Sequence, residues 1–250
     1  MKFIDWPSPN FNDRVDGEKP SMLVIHFTGM RSTADVLERL CDTKHVPPVS
    51  SHYLIDEAGN IYTLVDEEKR AWHAGVSYWH GNRDVNSSSI GIEISNRKHE
   101  AYTPEQLVSL TMLCQDIMAR HNIKPENVVG HSDVAPDRKE DPGYHFPWQK
   151  MAQNDVGIWP KPSLRDKFNA AAVAKKPEKL KKLFADAGYQ VEAFGENKPS
   201  LEQLINAFQQ RYEQDAFNNP KKKPGVATKD TVAKLRAVAR INKKLRPKNP

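Results

Sequence analysis

The sequence predicts an α/β fold, with a mixed central β-sheet flanked by helices and a small C-terminal helical domain. Three observations predict it. Apolar residues make up 38% of the chain and charged residues 28%, which is typical of a globular protein. Short apolar runs alternate with segments of helical periodicity up to about residue 150. Beyond a group of prolines at 142–162 the periodicity is helical throughout. We therefore place a first domain at residues 1–160 and a helical domain at residues 175–246.

Apolar runs and alternation predict the strands of the sheet. Residues 22–27 form a short apolar run that suits a buried strand. Residues 89–94 alternate three isoleucines on one face with Gly91 and Glu93 on the other. The runs at 52–55 and 61–65 flank a turn-like stretch and predict a hairpin.

Capping residues and apolar stripes predict the helices. Ser32 can cap a helix that runs to Cys41. Thr103 can cap a longer helix, with Gln106 completing a capping box and an apolar stripe continuing to Met118. Three more helices with apolar faces are predicted in the C-terminal region, at residues 177–187, 200–212 and 228–238.

The net charge of +5 conceals an asymmetry between the two regions. Residues 1–160 hold 16 basic against 23 acidic side chains, whereas residues 161–250 hold 21 basic against 9 acidic ones. The basic region could favour an anionic partner. We expect no nucleic-acid partner, because such a site needs aromatic residues within its basic patch, and Lys221–Lys223 contains none.

The chain has no apolar run near the ~20 residues of a membrane span, so we expect no membrane insertion. Residues 1–10 lack the apolar core of a secretory signal. We therefore expect a cytoplasmic protein, or a periplasmic one if a native export signal is missing from this sequence. Cys41 and Cys114 are predicted to be buried free thiols rather than a disulfide. The pattern predicts no particular oligomeric state.

Two of the nine histidines stand where a metal ligand would be well placed. His26 closes the apolar run at 22–25, and His131 follows the strand-like residues 128–130. The end of a strand fixes a side chain, and the loop beyond it leaves room for a substrate.

A catalytic zinc needs three protein ligands and one open position. The loop after His131 offers Asp133, Asp137 and Asp141 as the third ligand, and their spacing alone does not choose among them.

Five ordered motifs then point to a family. They are VIHFT (residues 24–28), SSHYLI (50–55), AWHAG (71–75), SIGIE (89–93) and GHSDVAPDRKEDPG (130–143). Together they resemble the zinc-dependent N-acetylmuramoyl-L-alanine amidases, a family that includes AmpD and AmiD and shares its fold with the peptidoglycan recognition proteins. The resemblance spans roughly residues 20–150.

The resemblance implies roles for individual residues. It implies that His26, His131 and Asp141 bind the zinc cofactor, that Glu93 works on the catalytic water and that Lys139 stabilises the transition state. The chemistry agrees, because a carboxylate can take and return a proton and a cation can stabilise a developing oxyanion.

Four further residues are predicted to bind substrate. His52, Trp72 and His73 lie inside the motifs, and Asn86 resembles a family position near the peptide groove. A packing or supporting role is at least as good an interpretation of the two histidines, and a core position is a good one for Trp72.

The C-terminal region resembles, more weakly, the helical peptidoglycan-binding domain that follows such amidases. The resemblance rests on LEQLINAFQQRY (residues 201–212), Gly225 and residues 231–232. The alternative is a structural appendage that only packs on the catalytic domain.

The function implied is therefore hydrolysis of the lactyl–L-alanine amide of peptidoglycan or of (anhydro)muropeptides, in recycling or in wall turnover. A peptidoglycan sensor that has lost catalysis is the alternative of a different class. A complete ligand set together with Glu93 and Lys139 argues against the sensor, because a protein that only binds needs none of them together.

Overall fold

The computed structural model describes residues 2–98, 100–193 and 198–243, so the last residues of the predicted helical domain (244–246) lie outside the described residues. Six strands form the main sheet in the order β1-β5-β4-β7-β3-β8, and two form a small ribbon, β2-β6. The strands are β1 (Phe3–Asp5), β2 (Phe11–Asp13), β3 (Met22–Phe27), β4 (Tyr53–Ile55), β5 (Ile61–Thr63), β6 (Lys69–Ala71), β7 (Ser89–Ile94) and β8 (Val128–Gly130).

The main sheet is mixed, as the sequence predicts. Strand β3 lies between β7 and β8 and pairs in parallel with both. Strands β4 and β5 pair antiparallel and form the predicted hairpin. The short strands β1, β2 and β6 were not predicted, because three-residue strands rich in polar side chains carry no recognisable alternation.

The helices lie on both faces of the sheet. They are α1 (Thr33–Cys41), α2 (Val85–Ser88), α3 (Pro104–His121), α4 (His131–Val134), α5 (Trp148–Ala152), α6 (Leu164–Lys167), α7 (Ala170–Val173), α8 (Pro177–Asp186), α9 (Leu201–Tyr212), α10 (Asp215–Asn218) and α11 (Lys229–Lys243). The predicted caps are confirmed: the Ser32 side chain accepts from the Asp35 amide, and Thr103 and Gln106 form a reciprocal capping box.

Different helices pack on the two faces of the sheet. On one face, Ile90, Ile92 and Ile94 of β7 pack in the same core as the apolar stripe of α3. On the other face, Val24 and Val129 share a core with side chains of α8, α9 and α11. The predicted C-terminal helices therefore cover one side of the sheet. Whether residues 175–246 constitute a domain of their own stays a prediction.

Two expectations drawn from composition can be set beside the structure. None of the helices within the described ranges is long and apolar enough to cross a bilayer. Both cysteines are free thiols; Cys114 is buried and Cys41 is half-buried.

Candidate metal centre and active site

Three adjacent parallel strands bring the predicted site residues to one edge of the sheet. His26 lies near the end of β3, Glu93 is its register partner on β7, and His131 directly follows β8. Ligand sites in open α/β sheets form outside the carboxyl ends of the strands, because the parallel chains deliver their following residues to the same side. Asp141 reaches this edge from the loop after α4.

His26, His131 and Asp141 converge on one point. Nδ1 of His26 lies 3.0 Å from Nδ1 of His131 and 2.9 Å from Oδ2 of Asp141. Nδ1 of His131 lies 3.1 Å from the same carboxylate oxygen. All three side chains are buried. Within the described residues they form a group that could hold a metal ion.

The outward-facing nitrogens of both imidazoles are already engaged. Nε2 of His131 lies 3.1 Å from the carbonyl oxygen of Ala74, which can only accept, so this nitrogen carries the proton. Nε2 of His26 lies 3.0 Å from Nδ1 of His73, whose own Nε2 lies 3.1 Å from the Ser89 hydroxyl. Because the Ser89 hydroxyl donates to the Val85 carbonyl, it accepts a hydrogen bond from Nε2 of His73. Nδ1 of His73 is then unprotonated and accepts a hydrogen bond from Nε2 of His26.

Both Nδ1 atoms therefore present lone pairs to each other and to the carboxylate. Two nitrogen lone pairs and an anionic oxygen about 3 Å apart repel one another unless a cation lies between them. Tetrahedral zinc with ligands at about 2.0–2.1 Å would hold those ligands about 3.3 Å apart, within a few tenths of an ångström of the observed spacing. The three residues fit a metal ion of this kind.

Electrostatics within the site match this arrangement. Burial and the neighbouring His131 lower the pKa of His26 to about 4, so its ring is neutral at pH 7. Burial and the charge of Asp141 raise the pKa of Glu93 to about 8.

Glu93 is positioned to exchange protons. Its Oε2 atom is buried and has no hydrogen-bond partner within the described part of the chain. A carboxyl group with a raised pKa and an unpaired oxygen in a cleft is a candidate general base.

A cavity of about 380 Å³ opens over the triad and contains Glu93 and Lys139 in its wall. Trp72 and His73, two of the predicted substrate-binding residues, line the same cavity. The Trp72 indole nitrogen donates to Asn12, which fixes the ring in the wall.

The other two predicted substrate-binding residues lie behind the wall. His52 is fully buried; its Nδ1 accepts from the Gly91 amide and its Nε2 lies 3.1 Å from the Lys69 carbonyl. The Asn86 side chain accepts from the amides of His73 and Ala74. These contacts are those of residues that support the site. Substrate contact by His52 and Asn86 stays a prediction.

The three aspartates after His131 have different surroundings. Asp141 joins the triad. Asp133 is buried and faces away, accepting from Arg211 at 2.6 Å and from Tyr189 at 2.6 Å. Asp137 is half-buried and belongs to no metal-binding group of the described residues.

Arg14 is a buried residue of the site's surroundings that sequence reasoning missed. Its guanidinium donates to the carbonyls of Glu67, Ser87 and Ser89 and so fixes the segment that enters β7. An isolated arginine in a polar stretch carries no sequence signal for this role.

A buried pair of imidazoles and one carboxylate, with a carboxyl group of raised pKa beside them in a cleft, is a site typical of metal-dependent hydrolases. Residues 16–144 match the protein family described as N-acetylmuramoyl-L-alanine amidase. The chain belongs to that family.

Relatives and solved structures agree with this assignment. The chain is 38% identical over 221 residues to N-acetylmuramoyl-L-alanine amidase AmiD of Escherichia coli, covering 79% of this chain and 76% of AmiD. It is 37% identical over 162 residues to the 1,6-anhydro-N-acetylmuramyl-L-alanine amidase AmpD of Salmonella typhimurium, covering 58% of this chain and 86% of AmpD.

Two solved structures resemble nearly the whole chain. E. coli AmiD, in complex with the substrate anhydro-N-acetylmuramic acid-L-Ala-D-γ-Glu-L-Lys, superposes with a TM-score of 0.75 at 33% identity, over 93% of each chain. AmpDh3 of Pseudomonas aeruginosa, in complex with anhydromuramic pentapeptide, gives a TM-score of 0.74 at 29% identity, over 89% of this chain and 92% of AmpDh3.

Proposed function

We propose that the protein is a zinc-dependent amidase that hydrolyses the amide between the lactyl group of N-acetylmuramic acid and L-alanine in muropeptides. The observation that carries the proposal is the convergence of two Nδ1 lone pairs and the Asp141 carboxylate at mutual distances of 2.9–3.1 Å. Family membership supplies the reaction class.

His26, His131 and Asp141 would hold the zinc ion, leaving one coordination position open to the cavity. Zinc bound there would lower the pKa of a water molecule from 15.7 toward ~7 and polarise the substrate carbonyl. The hydrogen bonds from the two Nε2 atoms would keep both rings oriented for that purpose.

Glu93 and Lys139 carry the proton transfer and the charge stabilisation in this proposal. Because zinc bound beside it would favour its ionised form, the Glu93 carboxylate accepts a proton from the attacking water and returns it to the nitrogen of L-alanine as the amide bond breaks. The Lys139 ammonium lies in the wall of the same cavity and stabilises the negative charge that develops on the carbonyl oxygen.

The substrate class follows from the relatives. E. coli AmiD and P. aeruginosa AmpDh3 were both solved with anhydromuramyl peptides. We propose the same class here, with Trp72 and His73 as the predicted substrate contacts that line the cavity.

Three expectations remain predictions. They are the cellular compartment, cytoplasmic or periplasmic; wall binding by the C-terminal region; and the choice between recycling of soluble fragments and cleavage of intact wall.

Metal content and turnover, measured together, test the proposal. The wild-type chain should bind about one zinc per molecule, release L-alanine-ended stem peptide from a muramyl tripeptide and lose activity on chelation. Glu93→Gln should keep the zinc and lose ~10²–10⁴-fold in turnover, the usual worth of a general acid/base.

Two outcomes would count against the enzyme. Zinc binding without any hydrolysis would favour the peptidoglycan sensor. Full activity after exhaustive chelation would remove the metal from the mechanism. Comparing anhydromuramyl with ordinary muramyl ends in the same assay would separate recycling from wall cleavage.

A further inference from the structure

Side chains of the C-terminal region form hydrogen bonds with the loop that carries two of the three candidate metal ligands. This metal loop, residues 131–146, begins at His131, contains Asp141 and includes α4 at its start. Four side chains from residues 189–214 donate hydrogen bonds to it; they are Tyr189, Gln203, Arg211 and Gln214.

Three of the hydrogen bonds in this region meet at the carboxylate of Asp133, which lies two residues after His131 on the single turn of α4. Oδ1 of Asp133 accepts from the Tyr189 hydroxyl at 2.6 Å. Oδ2 accepts from Nη1 of Arg211 at 2.6 Å and from the Gly130 amide, directly before His131, at 2.8 Å. All three side-chain groups of this cluster are almost fully buried.

Arg211 is itself fixed from several sides. Its Nη2 atom donates to the Val128 carbonyl at 2.8 Å, at the start of β8. Its guanidinium lies over the Trp148 ring, with Cζ 4.3 Å from the centroid. The Arg211 side chain of α9 therefore contacts β8 before His131, the α4 turn that begins at His131 and α5 after the metal loop.

The remaining two contacts hold the far part of the loop. The side-chain amide of Gln203 donates to the Asp137 carbonyl at 2.9 Å, and the side-chain amide of Gln214 donates to the Phe146 carbonyl at 2.6 Å. These carbonyls flank Lys139 and Asp141 in the sequence.

The loop needs these hydrogen bonds because its own short helix cannot hold its conformation. A single helical turn of four residues is not stable by itself, because helix nucleation costs more than one turn returns. A metal site is sensitive to displacements of a fraction of an ångström, so its ligands need outside support.

We propose that Arg211 and Tyr189 are positioning residues for the metal site and that the C-terminal helices set its metal affinity by holding the metal loop. This inference rests on the proposed function for its choice of zinc. It gives these helices a role in the site that neither wall binding nor simple packing requires.

Zinc affinity of the whole chain, measured by competition with a chromophoric chelator after EDTA treatment, tests the proposal. Tyr189→Phe removes one hydroxyl and keeps the ring. It should weaken zinc binding about tenfold, the lower end of the range for residues that orient metal ligands. Arg211→Met, which leaves the Asp133 carboxylate without its cation, should weaken it further.

Two control variants separate positioning from general stability. Tyr212→Phe removes the hydroxyl of another buried tyrosine, one whose hydroxyl makes no hydrogen bond within the described residues. Leu235→Ala removes apolar packing on α11 from the core that also contains Tyr189. Both should change zinc affinity less than twofold, whatever they do to the melting temperature.

Equal zinc affinities for Tyr189→Phe and Tyr212→Phe would overturn the proposal. So would a loss in Leu235→Ala as large as that in Tyr189→Phe at matched destabilisation. If Arg211→Met fails to fold, the tyrosine pair decides alone. Because the readout is binding, a wild-type chain that binds zinc but cleaves no muropeptide would refute the proposed function and leave this inference standing.

Discussion

Nε2 of His26 lies 3.0 Å from Nδ1 of His73, so a histidine outside the candidate metal-binding triad orients one within it. His73 in turn faces the Ser89 hydroxyl through its Nε2 atom. The triad is thus backed by a row of buried hydrogen bonds that reaches the start of β7.

This relationship predicts the behaviour of His73→Ala. Removing the acceptor for the Nε2 proton of His26 frees that ring to rotate, and zinc binding should weaken by ~10–100-fold. Chelator competition measures the affinity. His121→Ala, at the C-terminal end of α3 and not among the residues that line the cavity, is the control and should leave the affinity unchanged. Unchanged affinity in His73→Ala would show that His26 is held without it.

Gly91 predicts a second effect on the same ring. A Cβ atom at position 91 would stand 2.4 Å from Cγ of His73, so Gly91→Ala must displace the imidazole. We expect ~1–3 kcal/mol lower stability, as for other overpacked cores, together with weaker zinc binding.

The double variant Gly91→Ala/His73→Ala checks this cause. Removing the ring makes room for the methyl group, so the two losses of stability in urea denaturation should be less than additive. Fully additive losses would mean that the methyl group clashes with something else.

Lys139→Met should lower kcat ~10²–10³-fold while zinc content stays at the wild-type level, because a preorganised cation is lost without a change in the ligands. Steady-state kinetics on a muramyl tripeptide and metal analysis measure the two quantities. Lys150→Met, an exposed lysine on α5, is the matched control. A variant that loses its zinc instead would assign Lys139 a structural role.

Buried histidines make the metal-free protein sensitive to acid. Burial lowers the pKa of His26 to about 4 and that of His52 to about 3, and it holds the pKa of His73 well below its ordinary value. Because the folded pKa values are depressed, the stability contribution is complete above about pH 6.5 and is lost as the pH falls. At pH 5.5, about one unit below the unfolded pKa of ~6.5, each histidine costs on the order of 1 kcal/mol.

Glu93 acts in the opposite direction, because its raised folded pKa of about 8 favours the folded state as the pH falls toward 4.5. Glu93→Gln removes this offset. In urea denaturation with EDTA, the variant should therefore lose more stability between pH 7.5 and 5.5 than the wild type, with the three histidines together costing on the order of a few kcal/mol. A smaller loss in the variant than in the wild type would refute this assignment.

The sequence predicted those parts of the site that depend on local patterns. His26 and His131 stand at the ends of apolar runs, so position alone favoured them as metal ligands, whereas the role of Glu93 was indicated only by the family resemblance. The choice of Asp141 over Asp133 depended on how an irregular loop folds, which spacing does not encode. Only the family resemblance indicated it.

The C-terminal region marks another limit. Helical periodicity predicted α8, α9 and α11 and their apolar faces, but it does not state which surface those faces cover. The partnership of Arg211 with Asp133 joins positions 78 residues apart and leaves no periodic trace.

His26 and Glu93 are register partners on β3 and β7, so the separation of their backbones is set by the spacing of neighbouring strands, about 4.8 Å. That spacing does not depend on the segments that connect the strands. Strand pairing therefore sets the distance between these two backbones, whereas the orientation of the His26 ring depends on the segment between the strands, because that segment carries His73.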